Sequence, residues 1–245
     1  MTKRGRFLVL GLSMASVAAL AQTQVQVNGQ VRLSVNRVNT AGSSYSELRD
    51  NASRLGFKGS EELGGGLKAL FGLEMGIEAD QGTLTSPNFR HSYVGLSSQN
   101  WGTMSLGRLD SAAPAGSPIY SQVTAITSFA ANDAGLTAIG TSILNARNRT
   151  SNSIGYMSPS VAGLDMRARY YWRGQESLKE AENAARSLDL GVNYQNGPLK
   201  LALGYARDSR EGGLKVNEFD HKWQAGARYD FGQISPYLLY GRDSY

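Results

Sequence analysis

The groups able to do chemistry are few in kind. The chain has no cysteine and two histidines, His91 and His221, among twenty-five lysines and arginines and twenty carboxylates. Neither histidine lies in a Gly-x-Ser-x-Gly or comparable nucleophile context. The run GGGLKALFG, 64–72, lacks the Gly-Lys-Ser/Thr ending of a phosphate loop and opens an alternating segment rather than a helix. No Cys/His/Asp/Glu group has metal-ligand spacing, so the residues imply no cofactor and no metal. What remains is charge at every second position. In SRLGFKGSEELGGGLKALFGLEMG, Arg54, Lys58, Lys68 and Glu74 alternate with Leu55, Phe57, Leu67, Ala69, Phe71, Leu73 and Met75. Charges so spaced cannot break a bond. They can line a wet surface and bias its field, and that is electrostatic rather than catalytic chemistry.

Such charges need strands to aim them. In a strand, alternate side chains point to opposite faces. VQVNGQVRLSV reads as a first strand, with Val25, Val27, Val31, Leu33 and Val35 on one face and Gln26, Asn28, Gln30 and Arg32 on the other. GLDMRARYYWR puts Leu164, Met166, Ala168, Tyr170 and Trp172 opposite Asp165, Arg167, Arg169, Tyr171 and Arg173. About eleven such strands follow one another, the last predicted over 234–241, with 242–245 starting a loop.

The connections alternate in length. Long ones are expected near 37–51, 79–88, 109–150, 174–186 and 207–217; short ones are EELGGG, SQNW, SVAG, QNGP and FGQ. A β-sandwich gives no reason for that rhythm. A transmembrane barrel does, with short turns on one side of the membrane and long loops on the other. Aromatic residues fall at strand ends (Trp101, Tyr170 to Trp172, Tyr194, Tyr205, Tyr229, Phe231), where interfacial girdles belong. The expected fold is all-β, a transmembrane antiparallel barrel whose apolar face meets lipid and whose charged face lines water.

The first residues carry Lys3, Arg4 and Arg6, an apolar run from Phe7 to Leu20 and a small-residue site at Ala19-Leu20-Ala21. That is the pattern of a secretory signal peptide over 1–21, cleaved near Ala21. The apolar run is too short to span a membrane as a helix. The formal net charge of +5 includes those three positives. About +2 then remains for residues 22–245, too little to argue for nucleic acid.

Three blocks carry a resemblance: SRLGFKGSEELGGGLKALFGLE, HSYVGLSSQNWGTMSLGR and TSNSIGYMSPSVAGL. Together they resemble the Gram-negative general diffusion porins, in the branch typical of beta-proteobacteria. The resemblance implies a 16-stranded barrel in the outer membrane, usually a homotrimer, passing small hydrophilic solutes and ions, with a third outer loop folded inward as a constriction. Against that pattern the chain reads as C-terminally truncated, and Tyr245 as an accidental end. The longest connection, 110–150, takes the place of the inserted loop. The basic wall implied by the resemblance falls on Arg54 and Arg108, with Arg32, Arg147 and Arg149 as neighbours. Strand parity alone adds Lys58, Lys68, Arg167, Arg169, Lys200, Lys222 and Arg228 to the inward face. Inward acids by parity are Glu74, Glu78, Asp165 and Asp189, and the loop contributes Asp110 and Asp133. Arg108 shares parity with the lipid-facing Met104 and Leu106, so it reaches the interior only if its strand bends there. Basic residues outnumber acids on that face, which predicts a channel with a weak preference for anions and no enzyme activity. The competing readings are a soluble secreted β-sandwich binding module and a substrate-specific porin.

Overall fold

The computed structural model describes residues 24–40, 42–127, 148–172, 186–208 and 220–244. The expected signal segment 1–21, Asp133 and Arg147 lie outside the described residues. The described residues form thirteen strands and one helix. Eleven strands form one antiparallel sheet: β1 (Gln24–Gln30), β4 (Ser53–Gly64), β5 (Leu67–Glu78), β6 (Thr83–Ser98), β7 (Gly102–Leu109), β8 (Thr150–Met157), β9 (Leu164–Trp172), β10 (Arg186–Asn196), β11 (Leu199–Asp208), β12 (His221–Tyr229) and β13 (Tyr237–Ser244). From β4 onward each strand pairs with the next in sequence, an uninterrupted meander with no crossover to a second packed layer. That order excludes the β-sandwich. Among the described residues β1 and β13 are the two edges of the sheet.

Two expectations are corrected. The predicted first strand, Val25 to Val35, breaks at 31–32, and its second half becomes β2 (Leu33–Thr40), which pairs with β3 (Ser43–Asp50) as a separate hairpin. The connection expected over 37–51 is therefore largely strand. Asp50 ties the hairpin to the sheet, accepting from the Ser53 and Ala79 backbone N–H groups at 3.1 and 3.3 Å. Burial alone would raise its pKa, but those hydrogen bonds outweigh it and hold the carboxyl below the usual range. At the other end the last strand starts at Tyr237, not 234, and runs through Arg242, which pairs with Trp223. The turn before it is longer than the three residues FGQ because Pro236 has no N–H to offer a ladder.

The two faces separate as alternation requires. Leu201, Leu203 and Tyr205 are exposed on one face of β11; Ala202 and Ala206, on the other, are buried. What buries them is α1 (Pro118–Ile126), a helix within the long connection that periodicity in the strands does not foreshadow. Ser117 caps it by accepting from the Tyr120 N–H, and Pro118 opens it where no N–H is needed. The helix lies across β9 to β13. Gly191 and Gly204, direct partners on β10 and β11, permit that approach. A Cβ at Gly204 would stand 2.4 Å from Gln122 Oε1 and 2.7 Å from an Ile119 methyl.

Candidate functional site

On the face that carries α1, one cluster gathers charge from three strands and both ends of the long connection. Arg54 (β4) and Glu74 (β5) are held by the antiparallel register in which Gly56 opposes Glu74. Arg54 Nε lies 3.7 Å from Glu74 Oε2. Arg90 Nε donates to Glu74 Oε1 at 2.7 Å. His91 Nδ1 is 3.2 Å from Asp110 Oδ1, just beyond the end of β7. Arg149, immediately before β8, places Nε 3.8 Å from Asp110 Oδ2. Three guanidinium groups thus surround two carboxylates.

Arg90 and His91 are the residues sequence reading misses. Simple alternation puts neighbours on opposite faces, and would send Arg90 toward lipid with Ser92 and Val94. The β5–β6 register shifts there: Glu74 faces His91 but Met75 faces Phe89, so Arg90 is an extra residue in β6. A β-bulge of this kind turns consecutive side chains to the same side. The only sequence sign was a charge at a position otherwise assigned to lipid.

Burial acts on this cluster unevenly. Asp110 is 2% exposed. Burial alone would raise its pKa, but the His91 hydrogen bond and the nearby charges of His91 and Arg149 hold the carboxyl below its usual range. The Arg54 and Arg90 side chains keep 26% and 21% of their surface. They are paired yet still face solvent. Glu74, His91 and Asp110 also bring one ligand atom each within 4.8 Å of one another. Strand spacing hides this, since they come from β5, β6 and the segment after β7. The same carboxylates are engaged by Arg54, Arg90 and Arg149, however. The surplus positive field opposes a cation and suits an anion.

The other expected residues fall elsewhere. Lys58 lies beside Tyr93 and Pro114 in a cavity of about 240 Å³ on the same face. Lys68 pairs with Glu62 at the short turn after β4, half-exposed and at the far end of the strands from Arg54. Arg32 sits in the break between β1 and β2 rather than on a strand, with its N–H donating to Ser53 Oγ at 2.9 Å. Arg167 pairs with Asp165 at 3.2 Å and donates to Ser121 of α1 at 3.3 Å. Arg169 is 0% exposed. It donates to Asp189 Oδ2 from Nε at 3.1 Å and from Nη2 at 2.5 Å, to the Asn148 carbonyl at 3.2 Å and to Ser117 Oγ at 3.2 Å. Both Arg167 and Arg169 therefore grip α1 or its cap. Arg108 stands across from Ser92 and donates to the Phe89 carbonyl at 2.9 Å and Ser151 Oγ at 2.8 Å. The β7–β8 register shifts between Gly107 and Leu109, at Arg108 itself.

With this geometry in hand, comparisons with known proteins are specific. The Gram-negative porin family model matches residues 8–244. The chain belongs to the Gram-negative porin family. Outer membrane porin protein 32 of Delftia acidovorans is 34% identical over 237 residues, covering 92% of this chain and 65% of the relative. An outer membrane porin of Bordetella pertussis is 28% identical over 207 residues, covering 78% of this chain and 52% of the relative. The chain thus spans between about half and two thirds of the length of these relatives. Among solved structures, an anion-selective porin from Comamonas acidovorans superposes with a TM-score of 0.63 at 27% identity, covering 91% of this chain and 68% of that one. The porin fold and an outer-membrane location follow from this membership.

Proposed function

We propose that the chain supplies the greater part of the wall of a water-filled outer-membrane channel. It passes small hydrophilic solutes and ions by diffusion, with a weak preference for anions. The observation that carries this reading is the cluster of Arg54, Arg90 and Arg149 around Glu74 and Asp110, on the polar face of a sheet whose other face is apolar. Cations in excess over acids raise the local concentration of anions where the passage is lined by them. The long connection 110–150 is the segment we assign to narrowing the passage. In support, α1 lies flat on the inner face, with Gln122 donating to the Val192 and Leu203 carbonyls at 3.2 and 2.7 Å.

A homotrimer belongs to the same proposal. Its support is the apolar outer surface of the first strands, where Val25, Val27 and Val31 are 58%, 66% and 71% exposed. Unheated electrophoresis of the full-length protein, against a heated sample, reads that assembly directly.

The channel itself is tested in planar bilayers. The full-length protein in a potassium chloride gradient is expected to show stepwise conductance and a reversal potential of the sign set by chloride. A reversal potential of the opposite sign, or no steps, contradicts the proposal.

A further inference from the structure

On the inner wall, between the arginine cluster and the short turns, one patch departs from the polar pattern. Lys58 follows Arg54 by four residues on the same face of β4, about 13 Å along the strand at ~3.3 Å per residue. The register sets Gln26, Lys58, Gly72 and Tyr93 side by side across β1, β4, β5 and β6. In the next inward row Gln24 on β1 and Leu70 on β5 flank Ser60. Leu70 shares its face with Lys68, Glu74 and Glu78, and is the one large apolar side chain on that face of β5. Gly72 leaves the middle of the first row open, and the Tyr93 ring leans into it. A Cβ at Gly72 would stand 2.7 Å from Tyr93 Oη, so the hydroxyl reaches across β5 toward the strand of Lys58.

Pro114, from the segment before α1, completes the cavity of about 240 Å³ that these residues line. Its polar groups are uncommitted. Among the described residues no carboxylate pairs with Lys58, and the side chains of Gln24, Gln26 and Tyr93 make no hydrogen bond to another residue. The cavity thus offers one cation and several donors on one side, and hydrocarbon with an aromatic ring on the other. Sites of that make-up bury an apolar body while a few polar groups fix its orientation. The ammonium and the donors match a carboxylate, and Leu70, Pro114 and the Tyr93 ring match a hydrocarbon body. Chloride would use only the first half of this arrangement, and a neutral ring only the second.

We propose that this cavity is a solute subsite for small carboxylates that carry an aromatic or branched hydrocarbon body. Lys58 takes the carboxylate, and Leu70 and Tyr93 take the body. The proposal rests on the channel reading above but adds a different property. The arginine cluster acts on any anion, whereas this subsite discriminates among anions by what is attached to the charge.

The test reads half-blocking concentrations from the potassium chloride conductance of the full-length protein in planar bilayers. The probes are benzoate, acetate, which lacks the ring, and benzamide, which lacks the charge. Benzoate is expected to block at a concentration at least about tenfold below either of the others, since burial of a ring and pairing of a charge each contribute that much. Lys58→Gln should reduce benzoate to the level of benzamide, and Lys58→Arg should keep most of the block. Leu70→Ser should move benzoate toward acetate. Wild-type channels on which benzoate blocks no better than acetate, or no better than benzamide, overturn the proposal without any variant. So does a benzoate block unchanged by Lys58→Gln. Channels that benzoate does not block overturn the subsite alone, whereas a protein that forms no channels overturns the channel reading and the subsite with it.

Discussion

Two parts of the same sheet face use the same residue types to opposite ends. Around Glu74, the arginines of β4, β6 and the segment before β8 are paired but keep about a quarter of their surface. Across β9 to β12, the strands against which α1 packs, Arg169, Asp189, Asp208 and Lys222 are 2% exposed or less. Exposed pairs contribute little to stability, and their charge remains available to passing ions. Buried pairs have their charge consumed locally. Breaking one leaves an uncompensated ion in low dielectric. The inner wall is therefore half electrostatic surface and half adhesive for α1.

The strongest way to break that comparison is at Arg169. Arg169→Ala strands the Asp189 carboxylate and removes the donor to the Ser117 cap, costing about 3–5 kcal/mol, the usual penalty for halving a buried pair. The expected result is a lower unfolding midpoint together with larger and noisier single-channel steps, as α1 loses its hold. Unaltered steps would show that the loop is held by other contacts.

Gly204→Val tests the same adhesive without touching charge. The added side chain meets Gln122 and Ile119 at once, so α1 must lift. Overpacking of this kind costs about 1–3 kcal/mol, with step size again the readout. An unchanged channel here with an altered one in the Arg169 variant would assign the anchoring to the ion pair alone.

The sequence exposes some of this division and conceals the rest. Alternation assigned Arg54, Lys58, Glu74, Arg167 and Arg169 to one face, and length singled out the connection in which α1 lies. Parity is silent on depth. It cannot tell Arg169, sealed under α1, from Arg54, open to water, because burial depends on a helix contributed by a distant loop. Parity also fails at irregularities. The bulge in β6 turns Arg90 inward, and the break at 31–32 takes Arg32 off its strand.

Acid tests the cluster around Glu74 and Asp110. Asp110 has a depressed pKa, so its contribution is complete above the ordinary carboxylate range and is lost as pH falls through the depressed value. Below that point Asp110 no longer offsets Arg149, and anion preference should strengthen as stability declines. Asp110→Asn should bring the stronger preference to neutral pH and flatten the acid response. A response that persists unchanged in that variant would move its origin to another carboxylate.

The smallest effect is expected at Lys68. Its partner Glu62 is half-exposed at the short turn, a setting worth about 0–1 kcal/mol. Lys68→Ala should leave both stability and reversal potential nearly unchanged. A clear selectivity change would extend the electrostatic surface to the far mouth.

The central claim is that the net positive cluster of Arg54, Arg90 and Arg149 sets ion preference, and reversal potential tests it most directly. The full-length protein with all three arginines replaced by glutamine should lose its chloride preference in a potassium chloride gradient, shifting toward potassium while still forming channels. The wild-type reversal potential, unchanged in that triple variant, would contradict the account.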